Sequence, residues 1–174
     1  MTMVLSQDIL KSIKIDAAQA ASLNREELTD LVVAQIADQA GIQIPQDVVE
    51  QEADVLLRGY SSQRRYQGMA SGHYMDVLLE LQRDWQQLSD HFQAQAAAEL
   101  RAEQVIQSII ESEHLSVTRE ELLDEAVKMA RRQNVPIDEV KQFFGEDLQL
   151  LERDVLQKKA RDFILNCAAV QPET

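Results

Sequence analysis

Glu111 and His114 sit three positions apart in the run IIESEHL. On a helix that spacing puts a carboxylate and an imidazole on one face, half of the motif from which helical bundles build a carboxylate-bridged pair of metal ions. The complete site needs a second Glu-x-x-His and two further glutamates on facing helices, and the chain has no second copy. No metal or other cofactor is expected. His73, His91 and His114 lie far apart in sequence, and each reads as a surface residue. Cys167 is the only cysteine, so there is no internal disulfide. It lies on an apolar stripe, where a cysteine behaves as a small hydrophobe. No P-loop, dinucleotide-type glycine pattern or G-x-S-x-G occurs. The residues predict no enzyme.

The residue types that remain suit non-covalent contact. The stretch GYSSQRRYQGMASGHYM gathers Tyr60, Tyr66, Met69, Tyr74 and Met75, with Leu78 just beyond. Methionine repacks readily, and tyrosine supplies contact area with a polar end. Two readings stand side by side. These residues pack within their own hairpin or against a second copy, or they form an adaptable apolar surface. A second group, Met129, Val135, Ile137, Val140, Phe143 and Phe144, poses the same choice. There Phe143 or Phe144 is expected to close a small hairpin.

The elements that carry both groups follow from a repeat. Residues 32–45, VVAQIADQAGIQIP, recur 73 positions later (118 minus 45) as VIQSIIESEHLSVT. Val32, Val33 and Ile36 match Val105, Ile106 and Ile109. Ile42, Ile44 and Pro45 match Leu115, Val117 and Thr118. The match runs on through Ala53 with Ala126, Leu56 with Met129, and Arg58 with Arg131. Phe163, Ile164 and Cys167 repeat the first spacing once more. Apolar residues at i, i+1 and i+4 form one helical stripe, and three such stripes can bury one another. A short extended step follows each of the first two copies, and then a new helix. Pro45 suits a first helical position. Thr118 with Glu121 makes a capping-box pattern.

The resulting map has a weakly patterned segment over 1–24 and a helical domain over 25–170. Body helices near 25–40, 85–113 and 147–169 pack together. Between them run two helical hairpins, a long one at about 45–84 and a shorter one at about 118–145. In the long hairpin, helices at about 45–67 and 73–83 flank a turn, GMASG. Residues 171–174 are a tail.

Composition agrees with an all-α chain. Of 174 residues, 45% are hydrophobic, enough for a core, while Gly (5) and Pro (3) are too sparse for a turn-rich β fold. The net charge of −13 disfavours nucleic acid and anionic membranes as partners. No apolar run reaches membrane-spanning length. The start, MTMVLSQDILKSIKIDAAQ, lacks a long apolar stretch behind a basic flank, so no signal peptide is expected and a cytoplasmic location fits.

Two runs carry a resemblance to a known family. AAAELRAEQVIQSIIESEHLSVTREELLDEAVKMAR, followed by VPIDEVKQFFGEDLQLLERDVLQKKARDFILNCAAV, resembles the carboxy-terminal domain of trigger factor. The order is shared: an alanine-rich body helix, an apolar pair, a step into V-T-x-E-E-L, a second arm, and a final K-A-x-[DE]-F-[IL] helix. IPQDVVEQEADVLLR looks like the family's first arm. The resemblance covers roughly residues 25–170. It implies three body helices with two projecting hairpin arms, whose apolar inner faces hold unfolded or nascent polypeptides without ATP. It makes Tyr60, Tyr66, Met69, Tyr74, Met75 and Leu78 on the first arm client contacts. On the second arm it does the same for Met129, Val135, Ile137, Val140 and Phe143. The family's ribosome-docking signature, G-F-R-x-G-x-x-P, and its FKBP-type isomerase domain are not found in these residues. Ribosome docking and prolyl isomerisation are therefore not expected. The alternative is an assembly module whose arms form a homodimer interface.

Overall fold

The computed structural model describes residues 7–171. Residues 1–6 of the weakly patterned segment, and 172–174 of the tail, lie outside the described residues. In chain order the elements are α1 (Gln7–Ser12), β1 (Lys14–Asp16), α2 (Ala17–Ser22), α3 (Arg25–Gln39), α4 (Gln46–Ser71) and α5 (Tyr74–Arg83). Then follow α6 (Trp85–Ser112), α7 (Arg119–Gln133), α8 (Ile137–Phe144), α9 (Gln149–Cys167) and β2 (Ala169–Gln171). The chain is all-α, with one small addition. β1 and β2 pair in parallel, Lys14 opposite Ala169 and Asp16 opposite Gln171.

Local chemistry sets the helix starts. The Asn24 side chain accepts from the Glu26 and Glu27 amides, and the Glu27 carboxylate accepts from the Asn24 amide at 2.9 Å. Thr118 and Glu121 form the same reciprocal box at the start of α7, with the Thr118 amide donating to Glu121 Oε2 at 2.8 Å. Each box satisfies amides that a helix start leaves without partners. Pro45 stands one place earlier than expected. Its backbone is extended, and its carbonyl accepts the Val49 amide that opens α4.

The repeat also governs how helices end. Gly41 and His114 occupy equivalent places at the offset of 73, and both have positive φ, 64° and 50°. The Leu115 amide donates back to the Ile110 carbonyl at 3.0 Å, and the His114 amide to Glu111 at 3.4 Å. This is the Schellman arrangement, which satisfies the last carbonyls of a helix. Histidine tolerates the left-handed region better than most residues but pays a steric penalty that glycine avoids. His114→Gly is therefore expected to raise unfolding stability by about 0.5–1 kcal/mol, read by chemical denaturation.

The chain divides into two compact units, Gly41–Glu103 and the remainder. In the first, α5 returns along α4. Val49, Ala53 and Leu57 of α4 are buried with Phe92 and Ala96 of α6, and Tyr60 and Leu88 pack around them. The Tyr60 and Phe92 rings are 5.5 Å apart. α4 runs on through most of GMASG to Ser71, and the turn is only Gly72-His73. The reason is Gly68, which serves packing rather than the turn. A Cβ at that position would stand 2.9 Å from Val77 Cγ2 and 3.3 Å from Tyr74 Cα. The missing side chain lets α5 lie close against α4.

In the second unit α3 packs on α9, and α1 packs on both. Val32, Val33 and Ile36 are buried, as are Val105, Ile106 and Ile109. The third copy differs. Ile164 is buried, but Phe163 and Cys167 are only half-buried, and the buried stripe of α9 is Leu151, Val155, Ala160 and Ile164. α9 packs on α7, α8 and α3, so its buried stripe is longer than one copy of the pattern. The short hairpin α7–α8 is thus packed along α9, and Leu122, Ala126, Val140, Leu148 and Leu151 fill the space between them. The segment before residue 25, set apart by its weak pattern, carries the buried residues Leu10, Ile13 and Ile15.

Candidate functional site

The turn between α4 and α5 leaves large apolar side chains in solvent. Tyr66, on the last turns of α4, is 70% exposed, and Met69 is 60% exposed. On α5, Met75 is 65% and Leu79 60% exposed, and Tyr74 is exposed beside them. Tyr60 and Leu78 are half-buried, Tyr60 against Phe92. α5 is strongly amphipathic, but among the described contacts only α4 covers it extensively. One neighbour cannot bury Met75, Leu78, Leu79 and Leu81 together, because they spread around more than one helix face.

A groove of about 500 Å³ opens nearby in the same unit. Leu78, Leu81 and Trp85 supply its apolar walls, with Ser61, Arg65 and Gln82 completing the lining. The Ser61 hydroxyl is buried with no hydrogen-bond partner. Arg65 Nε donates to the Ser61 carbonyl at 3.2 Å. Arg64 pairs with Glu80 at 2.8 Å and ties α4 to α5. Trp85, the only tryptophan, is 52% exposed. Neither Leu79 nor Leu81 was among the residues that the sequence singled out for this surface. The available signal was the run of leucines at 78, 79 and 81, too wide for a single buried face.

The second hairpin presents less. Val140 is 5% exposed and belongs to the interior formed with α7 and α9, so it is not a surface contact. Met129, Val135 and Ile137 are half-buried against that interior. Of the two phenylalanines, Phe144 packs on the interior, while Phe143 is 75% exposed. Their rings meet edge-on at 4.9 Å.

Two carboxylates of α7, Glu125 and Glu121, are engaged in structure. Glu125 is mostly buried and faces three cations: Lys158 at 2.8 Å, Arg132 at 3.3 Å and Lys128 at 3.9 Å. The Lys158 hydrogen bond, reinforced by these charges, holds its carboxyl below the usual value of 4.5. A depressed carboxyl pKa contributes stability above the unfolded value, and that contribution is lost as pH falls through the folded value. Glu125→Gln is expected to cost about 1–2 kcal/mol at neutral pH. The difference between the two proteins should shrink as pH drops below about 4.5, as urea denaturation at several pH values would read. Glu121 is likewise lowered, chiefly by its hydrogen bond to Lys159, whose Nζ also donates to the Ser116 carbonyl at 2.6 Å.

The Glu111–His114 pair does not form a ligand set. Glu111 accepts from Gln107 Nε2 at 2.7 Å, and His114 has left the helix in a left-handed conformation. Among the described residues no group of three or more histidine, cysteine, aspartate or glutamate side chains is placed to hold a metal. No described helix is long and apolar enough to cross a membrane.

An all-α chain of capped helices, with a long helical hairpin exposing apolar groups at its turn, is the class that these features define. Comparison with known proteins agrees. The family model for the bacterial trigger factor protein C-terminus matches residues 5–166. The chain belongs to this family. The match begins well before residue 25, so it includes α1, β1 and α2, which sequence reading left outside the resemblance. A trigger factor of Acetivibrio thermocellus is 26% identical over 166 residues, 94% of this chain and 38% of that protein. Trigger factors of Bacillus mycoides and Bacillus thuringiensis are 32% identical over 143 residues, 82% of this chain and 33% of theirs. The chain thus spans about a third of the length of these relatives. No solved structure matches it.

Proposed function

We propose that this chain holds unfolded polypeptide segments by non-covalent contact, as a chaperone-type module. The observation that carries the reading is the set of large exposed side chains, Tyr66, Met69, Tyr74, Met75 and Leu79, around one helical turn. The groove walled by Leu78, Leu81 and Trp85 adds contact area in the same unit. Phe143 offers a separate contact on the second hairpin. The relatives, named trigger factor, support the same role.

The energetics suit holding. An unfolded segment presents scattered apolar groups, and burying one large side chain yields about 1.5–3 kcal/mol. Ordering both partners offsets much of this, so several contacts leave weak to moderate affinity. Weak contacts release quickly. The net charge of −13 keeps the loaded protein soluble. The role requires neither nucleotide nor covalent chemistry, and a cytoplasmic setting is part of the proposal.

The test is suppression of aggregation of a denatured enzyme diluted into buffer. A several-fold excess of this chain is expected to keep most of the enzyme in solution. An unchanged light-scattering trace would contradict the proposal. Sedimentation of the chain alone addresses the homodimer alternative, since a tight dimer across a wide concentration range would mean that the apolar turn serves self-assembly.

A further inference from the structure

The chain has five methionines. Met1 and Met3 lie outside the described residues, and Met129 is half-buried against the interior shared by α7, α8 and α9. The other two, Met69 and Met75, are 60% and 65% exposed and flank one turn, the last of α4 and the first of α5. Both exposed thioethers therefore lie within the surface assigned above to client contact.

We propose that Met69 and Met75 form a reversible oxidative modification site, at which hydroperoxides switch off client holding. The consequence for holding rests on the function proposed above, but the modification itself does not. A thioether sulfur attacks one peroxide oxygen through its lone pair. The S–O bond forms as the O–O bond breaks, and the proton carried by the transferred oxygen passes to the departing group, which leaves as water from hydrogen peroxide or as an alcohol from an organic hydroperoxide. Sulfur is oxidised by two electrons and the peroxide is reduced by two. Access to solvent sets the order of reaction, so Met69 and Met75 react before Met129. The sulfoxide is polar and a strong hydrogen-bond acceptor, whereas the thioether is apolar and adaptable. Two such groups in the middle of the exposed patch interrupt it between Tyr66 and Leu79. Methionine sulfoxide reductase, drawing electrons from a thiol, reverses the step.

The experiment treats the full chain with graded hydrogen peroxide and maps added oxygen by peptide mass spectrometry. Binding of a reduced and alkylated polypeptide is measured in parallel. Oxygen is expected on Met69 and Met75 well before Met129, with binding about ten-fold weaker once both are oxidised. Reductase with dithiothreitol is expected to restore it. The double variant Met69→Leu with Met75→Leu is compared with itself before and after peroxide, whatever its starting affinity. Its affinity is expected to stay constant, although Cys167 and Met129 remain present. Equal rates at Met129, or unchanged binding after oxidation at both sites, would overturn the inference. If untreated protein binds nothing, the holding proposal fails, and the mass map still decides whether the site is selectively oxidised.

Discussion

Replacing Tyr66, Met69 and Met75 together by serine is expected to weaken binding of an unfolded polypeptide about 100-fold. The melting temperature should stay within about 2 °C of the parent. The first number follows from area. Each side chain is largely in solvent in the free protein, so its apolar surface is available to be buried on a client. A net loss of about 1 kcal/mol at each of three places is well within the value of burying a large apolar group, and together they amount to about two decades in affinity. The second number follows from the same exposure, since side chains that touch little in the folded state stabilise it little. If the turn instead served folding, affinity and melting temperature would fall together. Calorimetric melting and fluorescence-anisotropy titration of the same variant separate the two cases.

Leu148 carries the largest expected effect on stability. It is buried in the interior between α7, α8 and α9, and its backbone has φ of 57°. A bulky residue in the left-handed region is strained by about 1–2 kcal/mol. The strain persists because the side chain closes this interior and the flanking backbone bonds hold it, with the Leu148 amide on Gly145 and its carbonyl accepting from Leu151. Leu148→Ala keeps the strain and opens a cavity, for an expected loss of about 2–4 kcal/mol. Leu148→Gly opens a slightly larger cavity and loosens the unfolded chain, but removes the strain. Glycine is therefore expected to be at least as stable as alanine here, reversing the usual order. Guanidinium denaturation of the two variants checks this, and an alanine variant clearly above the glycine one would contradict it.

Much of this fold is spelled locally. Asn24 with Glu27 and Thr118 with Glu121 mark helix starts by side-chain chemistry that acts within four residues, and such marks survive in any context. The repeat is legible for a related reason. Val32, Val33, Ile36 and their partners at 105, 106 and 109 share one helical face in both copies, so a period alone predicts their burial. Features set by distant chain were not legible. Lys14 pairs with Ala169, 155 positions later (169 minus 14), through strands too short to show alternation. The burial of Val140, and the choice of Phe144 over Phe143 for packing, depend on where α9 lies against α8. Gly68 sits among turn-like letters, yet only the neighbouring Val77 explains why it has no side chain. The apolar turn at Tyr66–Met75 was visible as composition. Its exposure was not, because exposure depends on which helices fail to cover it.

The emission of Trp85 reports whether an unfolded chain settles at the exposed turn. It is the only tryptophan, it is half in solvent, and it lines the groove beside the exposed turn. Adding an unfolded polypeptide that lacks tryptophan is expected to shift its emission to the blue along a saturable curve, with a weak to moderate dissociation constant. The same polypeptide in its folded state should leave the spectrum unchanged. An emission that stays fixed while unfolded chain is added in large excess would rule out client holding at this turn.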